Sequence, residues 1–235
     1  GKGGIGKTYT VLDVLNRMGK VDWMKARAEA GVTEIDESDD DEVIEEKVEA
    51  LAELGASGDY VVFKGYATAA ALYRLLFEHK HRIVVFDDCD SILRDETAVN
   101  VLKGALDTYE ERWISWNTNA SVSDLPAAFK FEGQVIIISN SEMERVNEAV
   151  RTRCMKVDVS MSPQQRVQRM RSILPRLMPD VPQPLKEDAL NLLERNLDVA
   201  VDVSFRSLMN IIKIRVEPDM PDWEDLAVYT LTQRW

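Results

Sequence analysis

Gly1-Lys2-Gly3-Gly4-Ile5-Gly6-Lys7-Thr8 opens the sequence and fits the phosphate-binding loop G-x-x-x-x-G-K-[ST] at every fixed position. Glycines lack a Cβ, so this backbone can turn its N–H groups inward around an anion. Lys7 suits the β- and γ-phosphates as a point charge, and the Thr8 hydroxyl suits Mg²⁺. From Tyr9 to about Met18, Val11, Leu12, Val14, Leu15 and Met18 recur at helical spacing. The loop therefore opens a helix whose positive end faces the phosphates. A phosphate loop follows a buried strand, so a strand is expected upstream of Gly1 and the chain reads as a piece of a longer protein.

Outward from the loop, strands and helices alternate. Gly19 to Gly31 is mixed and holds room for a short helix. Between Glu34 and Glu53 eleven acids stand against Lys47 alone, so most of the formal charge of −12 sits in one insertion. Its first part, Asp36 to Glu42, has no apolar face and reads as a solvated loop; Val43 to Leu54 reads as an acidic amphipathic helix. Asp59–Phe63, Arg82–Phe86 and Gln134–Ile138 are apolar runs of strand length, with Arg82–Phe86 expected at the sheet's centre. Helices are expected over Thr68–Glu78, Glu96–Leu106 and around Val146 and Val150. Tyr109–Asn119, with Trp113 and Trp116, reads as an edge strand or projecting loop, and Met155–Val159 as a short strand. From Pro163 onward only helices are legible, over Gln164–Leu174, Lys186–Asn196, Ser204–Arg215 and from Trp223 on. The fold class is α/β, a parallel sheet flanked by helices, followed by a small all-helical lid. The expected domains are 1–160 and 161–235.

Composition excludes several classes. No apolar run approaches the ~20 residues that span a bilayer, and no basic patch argues for nucleic acid. Cys89 and Cys154 form no framework, which suits a reducing, cytoplasmic compartment. His79 and His81 are too few for a metal site and read as surface residues.

Chemistry concentrates at strand ends. Asp87 and Asp88 follow the most apolar run, where ligands bind in open α/β sheets. Asp87 suits Mg²⁺, and Asp88 suits the orientation or deprotonation of an attacking water. Asn140 ends another strand and can hydrogen-bond that water or the γ-phosphate. Arg151 and Arg153 suit bidentate phosphate recognition, within the site or inserted into a neighbouring subunit. Arg206 suits a reach from the helical region to the phosphates. Phe63-Lys64-Gly65-Tyr66, between a strand and its helix, suits a grip on a peptide backbone or a single-stranded nucleic acid.

The order of these features resembles the AAA+ ATPase family over nearly the whole chain. Gly1 to Thr8 looks like Walker A, and Ile83 to Asp88 like Walker B. Asn140 is similar to sensor 1, Arg206 to sensor 2, and Thr152-Arg153-Cys154 to the arginine-finger segment of clamp-loader subunits. The resemblance implies ATP and Mg²⁺ as cofactors, with Gly3, Gly4, Ile5, Gly6, Lys7, Thr8, Tyr9 and Arg206 against the nucleotide and Thr8 and Asp87 on the metal. It implies Asp88, Asn140, Arg153 and Arg151 as catalytic groups, and a homo-oligomeric ring, with a hexamer as the first expectation. Phe63 to Tyr66 resembles the pore loop of ring unfoldases. The implied function is an ATPase that remodels or translocates a macromolecule, protein or nucleic acid. A clamp or helicase loader and a slowly hydrolysing, nucleotide-gated assembly module are the alternatives. Two departures bear on this: the family's Walker B ends Asp-Glu rather than Asp-Asp, and Lys2 resembles the signature lysine of partition-type ATPases. Those proteins have no place for a helical C-terminal domain or an Arg-x-Arg segment.

Overall fold

The computed structural model describes residues 6–29, 43, 59–116, 125–141, 143–218 and 220–233. Gly3, Gly4 and Ile5 lie outside them. So do the acidic insertion and its helix, except for Val43. The chain divides into two compact units, whose long stretches are Thr8–Val157 and Asp158–Trp235.

The first unit is built on a parallel three-stranded sheet. Helix α1 (Lys7–Arg17) and the short α2 (Trp23–Glu29) precede β1 (Tyr60–Lys64). Then come α3 (Ala69–Glu78), the central strand β2 (Ile83–Asp87), a 3-10 turn Asp90–Leu93 and α4 (Glu96–Ala105). Strand order is β1-β2-β5, with β5 at Gln134–Ile138. Register pairs Val62 with Val85 and Val85 with Ile136.

Period-two alternation feeds two cores at once, which is why the strands read as continuous apolar runs. Val61, Val84 and Phe86 join Leu72, Tyr73, Leu76 and the buried face of α4 on one side. Tyr60, Val85 and Ile138 join Leu15, Val11 and Leu12 of α1 on the other. Val14 and Met18, part of the same helical pattern, are exposed. Helix starts follow side-chain caps: Thr68 accepts from the Ala71 amide and Asp95 from the Ala98 amide.

The sequence reading is extended at one point and overturned at another, for physical reasons. Trp113 belongs to β3 (Trp113–Ser115), which pairs antiparallel with β4 (Ala128–Lys130) in a separate two-stranded sheet. Only Phe129 of β4 is buried, so three residues with one apolar position left no readable period. Met155–Val159 forms no strand. Met155 and Val157 are 94% and 75% exposed, so their apolar side chains have no face to cover and nothing drives pairing.

After the 3-10 turn Met143–Arg145 and the short α5 (Glu148–Arg151), the second unit is helical: α6 (Pro163–Ile173), α7 (Gln183–Arg195), α8 (Phe205–Val216) and α9 (Trp223–Thr232). Its core is its own, centred on Met170, Leu190, Leu193, Leu208, Ile211 and Ile212. A capping box between Ser162 and Gln165, with Pro163 in the first turn, starts α6. Lys186 is buried, and its ammonium donates to the carbonyls of Pro175 and Leu177. Among the described residues no helix is long and apolar enough to cross a membrane.

Candidate functional site

Parallel strands end together, so the carboxyl end of the sheet gathers Lys64, Asp87 and Ile138 in register. Gly6 has φ +82°, a conformation that glycine adopts without strain, and the chain then enters α1 at Lys7. This puts Thr8 in the first turn, where its hydroxyl donates to Asp87 Oδ1 at 2.8 Å. Asp87 is 4% exposed, and its other oxygen lies 3.1 Å from Lys64 Nζ. A buried carboxylate needs such partners, because unpaired burial of charge is costly.

Asp88 is placed differently. It has φ +54°, the left-handed region that Asp tolerates better than most residues. Its amide donates to the Ile138 carbonyl at 3.1 Å, and its side chain is exposed. Asn140 Nδ2 donates to Asp88 Oδ1 at 2.7 Å. The Asn140 amide thereby orients the Asp88 carboxylate. Asp90 lies beside this pair and accepts from the hydroxyls of Ser139 and Ser141.

The other residues singled out from sequence fall as follows. Tyr9 is exposed on α1, and Lys7 is half-buried. Arg151 ends α5 and is half-buried; Arg153 is exposed, and its guanidinium donates to the Ala149 carbonyl at 3.0 Å. Cys154, packed against the core, has its thiol pushed up by burial. Arg206 lies in the second unit, exposed in the first turn of α8. Phe63 is half-buried, with its ring 5.6 Å from that of His79 and 6.2 Å from that of Phe86. Tyr66 is 81% exposed, after Gly65 at φ +91°.

His79 corrects the sequence reading. It is a core residue, 5% exposed, with its ring 5.1 Å from the Trp23 ring. Burial, with the charges of Arg82 and Arg27, lowers its pKa to about 4. A helix-to-strand connection normally lies on the surface; here α2, packed on β1, supplies the cover. His81 is exposed and contacts Glu132 at 2.9 Å.

The donor set at Asp87 can be tested against the metal that the sequence suggests. A threonine hydroxyl and a carboxylate oxygen are hard donors, few in number, as suits Mg²⁺ that keeps water and phosphate ligands. Among the described residues no group of three or more His, Cys, Asp or Glu side chains could hold a metal without such help. The site therefore fits Mg²⁺ bound together with a nucleotide. Sequence reasoning missed the Lys64–Asp87 pair, which lies in register across two strands, and the Asp90 bonds. The spacing of Asp88 and Asp90, and the serines on both sides of Asn140, were the only signals.

Comparison with known proteins bears on the first unit. The family model for ATPases associated with various cellular activities (AAA) matches residues 1–162. The chain is also similar to an uncharacterized 36.7 kDa protein in the nrdC-mobD intergenic region of Enterobacteria phage T4, 28% identical over 92 residues. That match covers 37% of this chain and 28% of the phage protein. No solved structure matches significantly.

Proposed function

The chain belongs to the AAA family of ATPases, and on that premise we propose that it couples binding and hydrolysis of Mg²⁺–ATP to work on a macromolecule, as a homo-oligomeric ring, with six subunits as the first expectation. The observation that carries this is the hydrogen bond from Thr8 to Asp87, which sets the loop's hydroxyl against the buried strand-end carboxylate. Thr8 and Asp87 would hold Mg²⁺, which would supply charge neutralisation at the β- and γ-phosphate oxygens. Gly3, Gly4, Ile5, Gly6, Lys7, Thr8 and Tyr9 would hold the phosphates. Asp88, oriented by Asn140, takes the proton of the attacking water.

Arg153, exposed and held, among the described residues, only by the Ala149 carbonyl of its own turn, is the finger offered to a neighbouring subunit, with Arg151 beside it; such a group is worth about 10³–10⁵ in rate where measured. Residues 161–235 act as the lid, and Arg206 is its reader of nucleotide state. In the Phe63–Tyr66 segment the grip falls to Tyr66, since Phe63 is packed in the core and Lys64 faces Asp87. Whether the threaded polymer is protein or nucleic acid is decided by which of them stimulates hydrolysis.

The slowly hydrolysing assembly module is a second reading, favoured by Asp88 itself. An aspartate is one methylene shorter than the glutamate that the resemblance implies for the end of Walker B, and one of its oxygens is already engaged by Asn140. The test is Asp88→Asn. Turnover of Mg²⁺–ATP is expected to fall by about 10²–10⁴, the usual scale for a lost general base, with nucleotide affinity retained. Unchanged turnover would remove Asp88 from the mechanism. No ATP affinity in the wild-type protein would end the proposal.

A further inference from the structure

We infer that Asp90 is a positioning residue that holds Asn140 against Asp88. The inference rests on the reading of Asp88 and Asn140 as the pair that handles water. Strand pairing ends at Ile138, and Asn140, two residues further on, is exposed. A side chain two residues beyond the last strand position would ordinarily sample several rotamers.

The Asp90 carboxylate holds the residues on either side of Asn140. Ser139 Oγ donates to Asp90 Oδ1 at 2.6 Å, and Ser141 Oγ donates to Asp90 Oδ2 at 2.8 Å. The Ser141 amide donates to Ser139 Oγ at 2.9 Å, closing the tripeptide on itself. Bonds from hydroxyls to an ionised carboxylate are short and strong. One residue therefore grips both neighbours of Asn140, and the middle side chain is left to reach Asp88.

The grip has a firm anchor. Asp90 opens the 3-10 turn whose Ile92 and Leu93 are buried in the main core. Ser91 Oγ in the same turn accepts from the Ala67 amide at 3.4 Å. Cys89, between the two acids, is buried, with its thiol directed at the Phe63 carbonyl. Asp88 and Asp90 thus form a two-pronged holder on a packed base. Asp88 receives Asn140, and Asp90 receives Ser139 and Ser141.

The experiment uses the full chain, ¹⁵N-labelled, with the Asn140 side-chain amide signal identified by its loss in Asn140→Ala. Asp90→Ala is expected to move that signal toward the position of a free exposed asparagine. In steady-state ATP turnover it is expected to lower kcat about tenfold, a modest share of what misplacement near a reacting group can cost. KM for ATP is expected to stay within about twofold. In the Asn140→Ala background, Asp90→Ala is expected to add nothing, because it acts through that side chain. The double variant Ser139→Ala/Ser141→Ala leaves the carboxylate in place and repeats the measurement should Asp90→Ala fold poorly. An unmoved Asn140 signal overturns the inference, as do kcat losses that multiply in the combined variant. If the wild-type protein hydrolyses no ATP, the proposed function falls, and the amide signal still decides whether Asp90 holds Asn140.

Discussion

At the carboxyl end of the parallel sheet side chains bind side chains: Thr8 and Lys64 with Asp87, Asn140 with Asp88, and two serines with Asp90. At the amino end two such pairs, Lys20 with Asp59 and His81 with Glu132, are partly exposed, and the contacts beneath them run to backbone. The Arg112 guanidinium donates to the carbonyls of Ala105 and Gly133, and the Lys80 carbonyl takes the amides of Glu132 and Gly133. His79 Nδ1 and Trp23 Nε1 are buried with no hydrogen-bond partner. Bonds between ionic and hydroxyl side chains can be exchanged for a phosphate or a cation. Bonds to fixed carbonyls cannot be exchanged without moving the chain. Substitutions at the first end should therefore change rate, and those at the second stability.

Gly133→Ala gives the largest expected departure at the amino end. A Cβ there would lie 2.2 Å from the Arg82 carbonyl oxygen and 2.9 Å from the Phe131 ring. The strand must shift, at a cost of about 3 kcal/mol, the upper range for overpacking. Thermal unfolding should drop by roughly 6–12 °C, with turnover per folded molecule within about twofold of wild type. This is the mirror of Asp88→Asn, which should lose rate and keep its melting temperature. A Gly133→Ala protein that melts normally would show that the close approach does not hold β5 in place.

His79 gives a smaller and pH-dependent effect. Its folded pKa of about 4 lies below the ordinary 6.5. Between these values the unfolded chain binds the proton and the folded chain does not, so stability falls as pH falls from about 6.5 toward 4. Over the whole window His79 would cost on the order of 3 kcal/mol. His79→Leu, which keeps the apolar contact with Trp23 and Phe63, should flatten this part of the denaturation profile. An unaltered slope would mean that other groups set it.

The sequence carried the parts of this molecule that depend on local pattern. The three strands of the parallel sheet each feed two cores, so their apolar runs announced them. Pro163 marked the point from which only helices follow. What it did not carry depends on partners far along the chain. The burial of His79 needs Trp23, 56 positions earlier; β4 needs β3; and exposed Met155 and Val157 look like strand residues until no neighbour is found. The site divides the same way. Asp87, Asp88 and Asn140 are readable as strand-end polar residues, whereas the pairing of Asp87 with Lys64, and the part of Asp90, arise only when strands 23 and 51 residues apart are set side by side.

Lys64 gives the smallest effect and the sharpest test of exchangeability at the carboxyl end. Its ammonium lies 3.1 Å from Asp87 Oδ2, with 64% of its side chain exposed. A half-solvated pair of this kind contributes at most about 1 kcal/mol, yet it occupies an oxygen that a divalent cation would use. Replacing Lys64 with Met keeps most of the stem and removes the charge. Asp87 then keeps its burial and its Thr8 bond but loses a competitor. The Mg²⁺ concentration that half-saturates ATP turnover should fall about fivefold, the ratio that corresponds to about 1 kcal/mol. The difference between Lys64→Met and wild type should shrink as salt is raised, because added ions screen an exposed ammonium. A rise in the Mg²⁺ requirement would instead mean that Lys64 helps to hold the phosphates, and that its contact with Asp87 is not the one exchanged when nucleotide binds.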